Sequence, residues 1–378
     1  MYHHQTKNKK SMNISFVPLK KLKFPLLLAV SLFTSQLVKA DEVDALITKI
    51  MAERNIPGLQ LAVVKDKKIV KTQSYGVANL QDDIAVTNNT VFSINSMTKA
   101  FTGVALVQLV EKGVISLDDE IGKHLPELPK AWHKIQIKHL MAHTSGLPKI
   151  LSGYYIDLIV RGNPKAAWEK VQTLPMISDI NTRFDYNQTG YVIIGKIIDK
   201  YVDGSFVEFI TDHQLKPVGM HLTAKSGFEY MTPVIKNQAR QYLYEHKDGR
   251  FVNIYGHFSY MMRTAAGMNS TATELAHYLI ALQSHKLVKN TKLLWAPIKL
   301  NNGKIEGFSK LENGYAIGWQ VLDREHHPAV SASGGNAVSM IYYPENNVSI
   351  VVLTNLVGAL PIQFVDNIAA LYIDDFKR

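Results

Sequence analysis

Apolar and polar positions change their period twice along this chain. Residues 42–54 predict a short helix that Ile56-Pro57-Gly58 ends. The next stretch, LQLAVVKDKKIVKTQSYGVAN, holds two apolar runs separated by the polar tip Lys65 to Lys68, which is the pattern of a β-hairpin. Helical periodicity dominates from Thr98 to about Gln283, including YVIIGKIIDKYV and STATELAHYLIAL, where Thr271 and Glu274 have capping-box spacing. Near the C-terminus YAIGWQVL, AVSMIYYP and NVSIVVLTN predict strands, PENN predicts a turn, and a final helix begins at about Ile362. Strands at both ends with helices between them predict an α+β fold, its sheet assembled from about 56–76 and 314–378 with a helical lobe inserted.

Charge changes the picture at the N-terminus. The whole chain of 378 residues carries +10, with 42 basic against 32 acidic residues, but seven of the lysines and none of the acids lie in the first forty. Taking those seven away leaves 35 against 32, a balance of +3. Six of the seven lysines precede the apolar run FPLLLAVSLF, and TSQLVKA comes after it, with Val38 and Ala40 matching a small-residue cleavage signal. Residues 1–40 therefore predict a cleaved secretory signal peptide, and Met12 offers a second start. A retained anchor fits less well, because Phe24 to Val38 includes Pro25, Ser31, Thr34, Ser35 and Gln36, whereas spanning takes about 20 mostly apolar residues. The expected location is periplasmic or secreted, with no stable membrane insertion after cleavage.

Residues 41–378 predict one domain with a large core. No basic stripe interleaved with aromatics remains, which argues against nucleic acid as a partner. The chain has no cysteine, so disulfides, thiol nucleophiles, thiolate metal sites and lipid attachment through an N-terminal Cys are all excluded.

The candidate chemistry begins in VFSINSMTKAFTGVALVQLVEKG, residues 91–113. Ser96, Met97, Thr98 and Lys99 form an SxxK tetrad, and residues three apart share one face of a helix, so the lysine amine can reach the serine hydroxyl. The tetrad alone is a weak signal. The run AFTGVALVQLV directly after it is almost wholly apolar, which predicts a buried helix on which a lysine is costly unless paired or neutral. The N–H groups and positive dipole end of that helix would favour an oxyanion developing beside Ser96.

On these and further segments the chain resembles the serine β-lactamase-like hydrolases, a family of class C β-lactamases, D-alanyl-D-alanine peptidases and related carboxylesterases. The segments IPGLQLAVVKD, FSINSMTKAFTG, IKHLMAHTSGLP, FDYNQTGYVIIGKIID, LKPVGMHLT, AAGMNSTATELAHYL, YAIGWQV and YYPENNVSIVVLTN occur in the family's order. The resemblance implies an antiparallel sheet flanked by helices, of the β-lactamase/transpeptidase type. It implies Ser96 as nucleophile, Lys99 as its partner lysine, and Tyr186 as the tyrosine of the YxN motif. A lysine with a lowered pKa can serve as base directly or through a tyrosinate, and the sequence does not divide that work. No cofactor and no metal are expected.

Two positions depart from the family pattern. Gln188 replaces the YxN asparagine, keeping an amide that can contact substrate. The third motif, usually a Lys or His followed by Thr or Ser and Gly, appears as Ala332, Ser333 and Gly334, so its cation is missing. Ser333 and Gly334 are expected to contact substrate, and the N–H of Gly335 to complete an oxyanion hole with that of Ser96. Lys225, Ser226 and Gly227 spell a third motif literally but come after PVGMHLT, where the family has a loop, and are read as coincidence. His143 is expected in a structural turn, and His326 and His327 in an exposed one.

The function expected is an exported serine hydrolase that cleaves an ester or amide through a Ser96 acyl-enzyme, most simply a β-lactamase-related esterase acting on a small-molecule ester, amide or peptide. The alternatives are a β-lactamase or D-alanyl-D-alanine peptidase, and a non-catalytic penicillin-binding-like protein. With Ala332 in place of a cation, uncharged esters should be preferred to substrates that present a carboxylate. The oligomeric state is left open.

Overall fold

The computed structural model describes Met1 and residues 42–152, 162–228, 234–254 and 259–377. The signal-peptide segment 1–40 lies outside the described residues apart from Met1. Among the described residues no helix is long and apolar enough to cross a membrane.

Eight strands form one antiparallel sheet. From the N-terminal part come β1 (Gly58–Lys65), β2 (Lys68–Asn79) and β3 (Ile84–Ala85). The C-terminal part supplies β4 (Gly314–Tyr315), β5 (Gln320–Leu322), β6 (Ala329–Gly334), β7 (Val338–Tyr343) and β8 (Val348–Thr354). The order across the sheet is β3-β2-β1-β8-β7-β6-β5-β4, so the two ends of the domain meet where β1 pairs with β8, Leu61 opposite Val352. The tip between β1 and β2 is a two-residue turn with Asp66 and Lys67 both at positive φ, which suits the twist of a tight hairpin.

The central strands read as unbroken apolar runs because both faces of the sheet are covered. Helix α1 (42–54) and the short C-terminal helix α5 (Val365–Ala369) bury Val43, Ile47 and Val365 against Leu61, Val63, Ile341 and Val352. On the opposite face α2 (Thr98–Glu111) and α4 (Ala272–Gln283) bury Phe101, Val104, Leu275 and Leu279 against Ala62, Val64, Val351 and Leu353. Each fully buried large aliphatic side chain contributes about 1.5–3 kcal/mol relative to exposure. Helix α2 is buried on every side from Thr98 to Val107, as its apolar sequence requires.

The middle of the chain is less helical than its periodicity predicts. A hairpin of Tyr242–Glu245 with Arg250–Asn253 interrupts it, and Phe92–Ser93 pairs with Asn269–Ser270. Helix α3 (Thr189–Tyr201) is the long apolar helix of this region. The capping box at α4 is only half made. Thr271 Oγ1 accepts from the Glu274 N–H at 3.2 Å, but the Glu274 carboxylate turns away to accept from the N–H groups of Leu222 and Thr223, both at 2.8 Å. It caps a neighbouring helix, His221–Ser226, in place of its own.

Candidate active site

Ser96 sits on a single 3-10 turn, Asn95–Met97, that runs directly into α2. Asn95 is held at positive φ, and Thr98 Oγ1 donates to its carbonyl at 2.7 Å, which fixes the turn from both sides. The end of β6 backs onto the same turn so closely that a Cβ on Gly334 would lie 2.1 Å from the Ile94 carbonyl and 2.9 Å from the Ser96 nitrogen. Only glycine permits that approach. Gly335 comes next at φ +58 in the turn after the strand, and a Cβ there would meet the Asn95 side chain.

Lys99 is 1% exposed, one turn along the same helix path. Its Nζ donates to Ser96 Oγ at 3.3 Å and to the Ala265 carbonyl at 2.8 Å, and lies 4.9 Å and 5.0 Å from the ring centres of Tyr186 and Tyr191. No carboxylate pairs with it among the described residues. Burial lowers its pKa, while the charge and hydrogen bonding of Tyr186 oppose that shift. For Tyr186 burial alone would push the phenol up. The charge of Lys99 and hydrogen bonds from Lys99, Ser96 and Gln188 outweigh it and hold the phenol below the usual tyrosine range. Its neighbours Tyr191 and Tyr315 move the other way, well above that range, chiefly through burial. Of these three tyrosines only Tyr186 is tuned towards the phenolate, and it is the one that reaches the serine and the lysine.

A cavity of about 460 Å³ opens beside this cluster, and Ser96, Tyr186, Ser333, Gly334 and Gly335 all line it. Ser333 Oγ donates to Ser339 Oγ at 3.2 Å. Gln188 is not among the lining residues. It stands behind Tyr186 at the start of α3, with Oε1 buried and unpartnered. Ala332 is 2% exposed and belongs to the core cluster with Met97 and Ala100. Lys225 and Ser226 end a short helix, with Gly227 as its cap, and none of the three lines the cavity. A cavity of about 510 Å³ between Trp295, Val321 and Tyr342 contains none of the predicted site residues, so chemistry and not size distinguishes the smaller one.

Two groups enter the site that sequence reasoning did not place there. His143 is a turn residue at positive φ, yet its ring lies 4.3 Å from that of Tyr186, with Nδ1 3.1 Å from the Asn187 backbone. Burial, then the charge of Lys99, hold its pKa well below the ordinary value, which favours the uncharged ring. Glu312 lines the cavity at 9% exposure, and burial pushes its pKa up to about 7. Nothing in FSKLENGYAIG marks that glutamate beforehand, since its place depends on strand register. Two basic residues from other segments that could have replaced the missing cation are occupied: Arg263 pairs with Asp199, and Arg324 holds Asp366 through two nitrogens at 2.8 and 3.2 Å. His327 bonds Asn346 at 2.9 Å and stacks on Phe376, away from the site.

Comparison with known proteins agrees with this architecture. The family model described as Beta-lactamase matches residues 43–374. Protein flp of Staphylococcus aureus (strain MW2) is 27% identical over 336 residues, covering 83% of this chain and 63% of that protein, so the chain spans less than two thirds of that relative's length. Penicillin-binding protein 4* of Bacillus subtilis (strain 168) is 24% identical over 306 residues, covering 76% of this chain and 65% of that protein. Among solved structures, the octameric penicillin-binding protein homologue from Pyrococcus abyssi superposes with a TM-score of 0.71 at 26% identity, covering 86% of this chain and 77% of that one. A class C beta-lactamase does so with 0.72 at 21% identity, covering 90% and 97%, which speaks for the fold. By the extent of the family match, this chain belongs to the beta-lactamase family.

Proposed function

We propose that the protein is a serine hydrolase that works through an acyl-enzyme on Ser96. One observation carries the reading: a fully buried lysine with no carboxylate partner donates to the serine hydroxyl at 3.3 Å and shares its surroundings with a tyrosine tuned towards the phenolate. In that arrangement the Lys99–Tyr186 pair takes the Ser96 proton as Oγ attacks an ester or amide carbonyl. The N–H groups of Ser96 and Gly335 receive the oxyanion. The pair returns the proton to the leaving group, and water then releases the acid. Ser333 and Gly334 form the wall against which the substrate lies, and Gln188 supports Tyr186.

An uncharged ester is taken in preference to a carboxylate-bearing β-lactam. Among the described residues the cavity lining contains no Lys, Arg or His, so none of them offers a substrate carboxylate a charge-assisted hydrogen bond, worth roughly 1.5–3 kcal/mol. Intact-mass measurement after exposure to an activated ester and to a penicillin tests the mechanism. An adduct of acyl mass that Ser96→Ala abolishes is expected, and its absence with both reagents would favour a non-catalytic binding protein. Steady-state kcat/KM for a short-chain p-nitrophenyl ester and a cephalosporin, side by side, tests the preference. Export with cleavage after Ala40 is part of the same proposal, supported by the composition of residues 1–40.

A further inference from the structure

The lining of the Ser96 cavity includes two buried acceptors, the Glu312 carboxyl and the Gln320 Oε1. Glu312 precedes β4, and its carboxyl takes one side-chain hydrogen bond among the described residues, a long one of 3.4 Å from Ser331 Oγ. Strand register places Ser331 of β6 directly opposite Gln320 of β5, and Gln320 in turn opposite Tyr315 of β4, so these polar groups lie on one face of the sheet edge. Gln320 is 6% exposed and also lines the cavity, and its Oε1 is buried without a partner. A buried acceptor short of donors costs free energy, and here the Gln320 Oε1 has none, the Glu312 carboxyl has one long bond, and no basic side chain lies along the lining among the described residues. A donor with several N–H bonds and a positive charge would fill that gap.

We propose that Glu312 and Gln320 form a subsite for a primary amine on the substrate whose carbonyl Ser96 attacks. An ammonium has three N–H donors and no acceptor, so one group can satisfy the Glu312 carboxylate and the Gln320 Oε1 together. Its charge offsets the cost of ionising a carboxyl in a buried wall, which a neutral substrate does not do and a carboxylate makes worse. The substrate class is therefore amino-bearing esters or amides. This rests on the acyl-enzyme reading above and refines it: uncharged esters are accepted for want of a cation in the wall, and cationic ones are preferred for the presence of an acid.

The experiment compares two matched ester series. One is phenyl acetate carrying a para methyl, aminomethyl or carboxymethyl group. The other is phenyl hexanoate, phenyl 6-aminohexanoate and the monophenyl ester of adipate. The amine member should exceed the neutral one in kcat/KM by about ten- to a hundredfold in at least one series, with the carboxylate member lowest. Glu312→Gln, which keeps the shape of the side chain, should bring the amine-to-neutral ratio close to one and raise the carboxylate member relative to both. A wild-type ratio within twofold of one in both series overturns the proposal, as does a high ratio that Glu312→Gln leaves unchanged. If no ester is turned over, the acyl-enzyme reading has failed separately, and calorimetric titration of the Ser96→Ala protein with the same six compounds decides the subsite: tighter binding of the amines, lost in Ser96→Ala/Glu312→Gln, supports it, and equal binding of all six overturns it.

Discussion

The Nζ of Lys99 lies 3.3 Å from Ser96 Oγ and 2.8 Å from the Ala265 carbonyl, in a setting that offers it hydrogen bonds and aromatic faces but, among the described residues, no carboxylate. An ammonium held that way is penalised, so the neutral amine that a base requires is favoured. Ser96→Ala is expected to abolish covalent labelling while leaving the thermal midpoint within a few degrees of wild type, because no core volume is lost. Lys99→Ala and Tyr186→Phe should each lower the acylation rate by orders of magnitude, and the double variant by little more, since residues that act on one proton are not additive. Additive losses in single-turnover kinetics would assign them separate tasks.

The same pair sets a pH dependence. Both pKa values are lowered, Lys99 by burial and Tyr186, against its burial, by Lys99 and its hydrogen bonds. The acid limb of kcat/KM should therefore fall below the ordinary value of about 10 for either group, with activity lost as pH drops and the pair takes up a proton. Tyr186→Phe removes the interaction that raises the Lys99 pKa, so the limb of its residual activity should shift to lower pH. A shift to higher pH would contradict the coupling.

Glu312 gives a stability prediction with the opposite sign from a salt-bridged carboxylate. Its folded pKa of about 7 lies above the unfolded value of 4.5, so the folded state holds a proton that the unfolded state has released between those values. Stability from this group is unaffected below pH 4, falls as pH rises towards 7, and stays low above it. The full difference is about 3 kcal/mol, at about 1.4 kcal/mol per unit. Glu312→Gln should accordingly match wild type near pH 4 in denaturant titrations and exceed it by up to about 3 kcal/mol at pH 8.

Gly334 tests whether the fit of strand to turn matters for catalysis. Alanine there would drive Cβ into the Ile94 carbonyl and the Ser96 nitrogen, both backbone atoms with no flexible end to yield. A loss of about 1–3 kcal/mol in stability is expected, together with a fall in kcat larger than any change in KM, as the turn carrying Ser96 is displaced.

Export is read from the product. N-terminal sequencing of secreted material should begin at Asp41, Glu42, Val43, and an intact apolar run in a membrane fraction would replace cleavage with anchoring.

Much of this protein was determined by local sequence. The β1–β2 hairpin, the C-terminal strands and the buried α2 arise from apolar periods of two and 3.6 and from turn residues at their ends, all features within about twenty residues of one another. The Ser96–Lys99 contact belongs to the same class, because a spacing of three residues at the start of a helix places both side chains on one side whatever the rest of the chain does. Tyr186 was reached only through the order of segments shared with a family, and its neighbourhood was not legible at all. Tertiary structure alone decided that His143 would lie 4.3 Å from Tyr186 and that Glu274 would cap a neighbouring helix in place of its own. It also decided that the Ser96 cavity would carry a glutamate in its wall and, among the described residues, no basic side chain along its lining. Those outcomes depend on strand register and on which loops meet at the sheet edge, where a carboxyl 216 positions along the chain from the serine comes to share its cavity. Periodicity carries no information about such pairings, since it records which face of an element is buried and not what is buried against it.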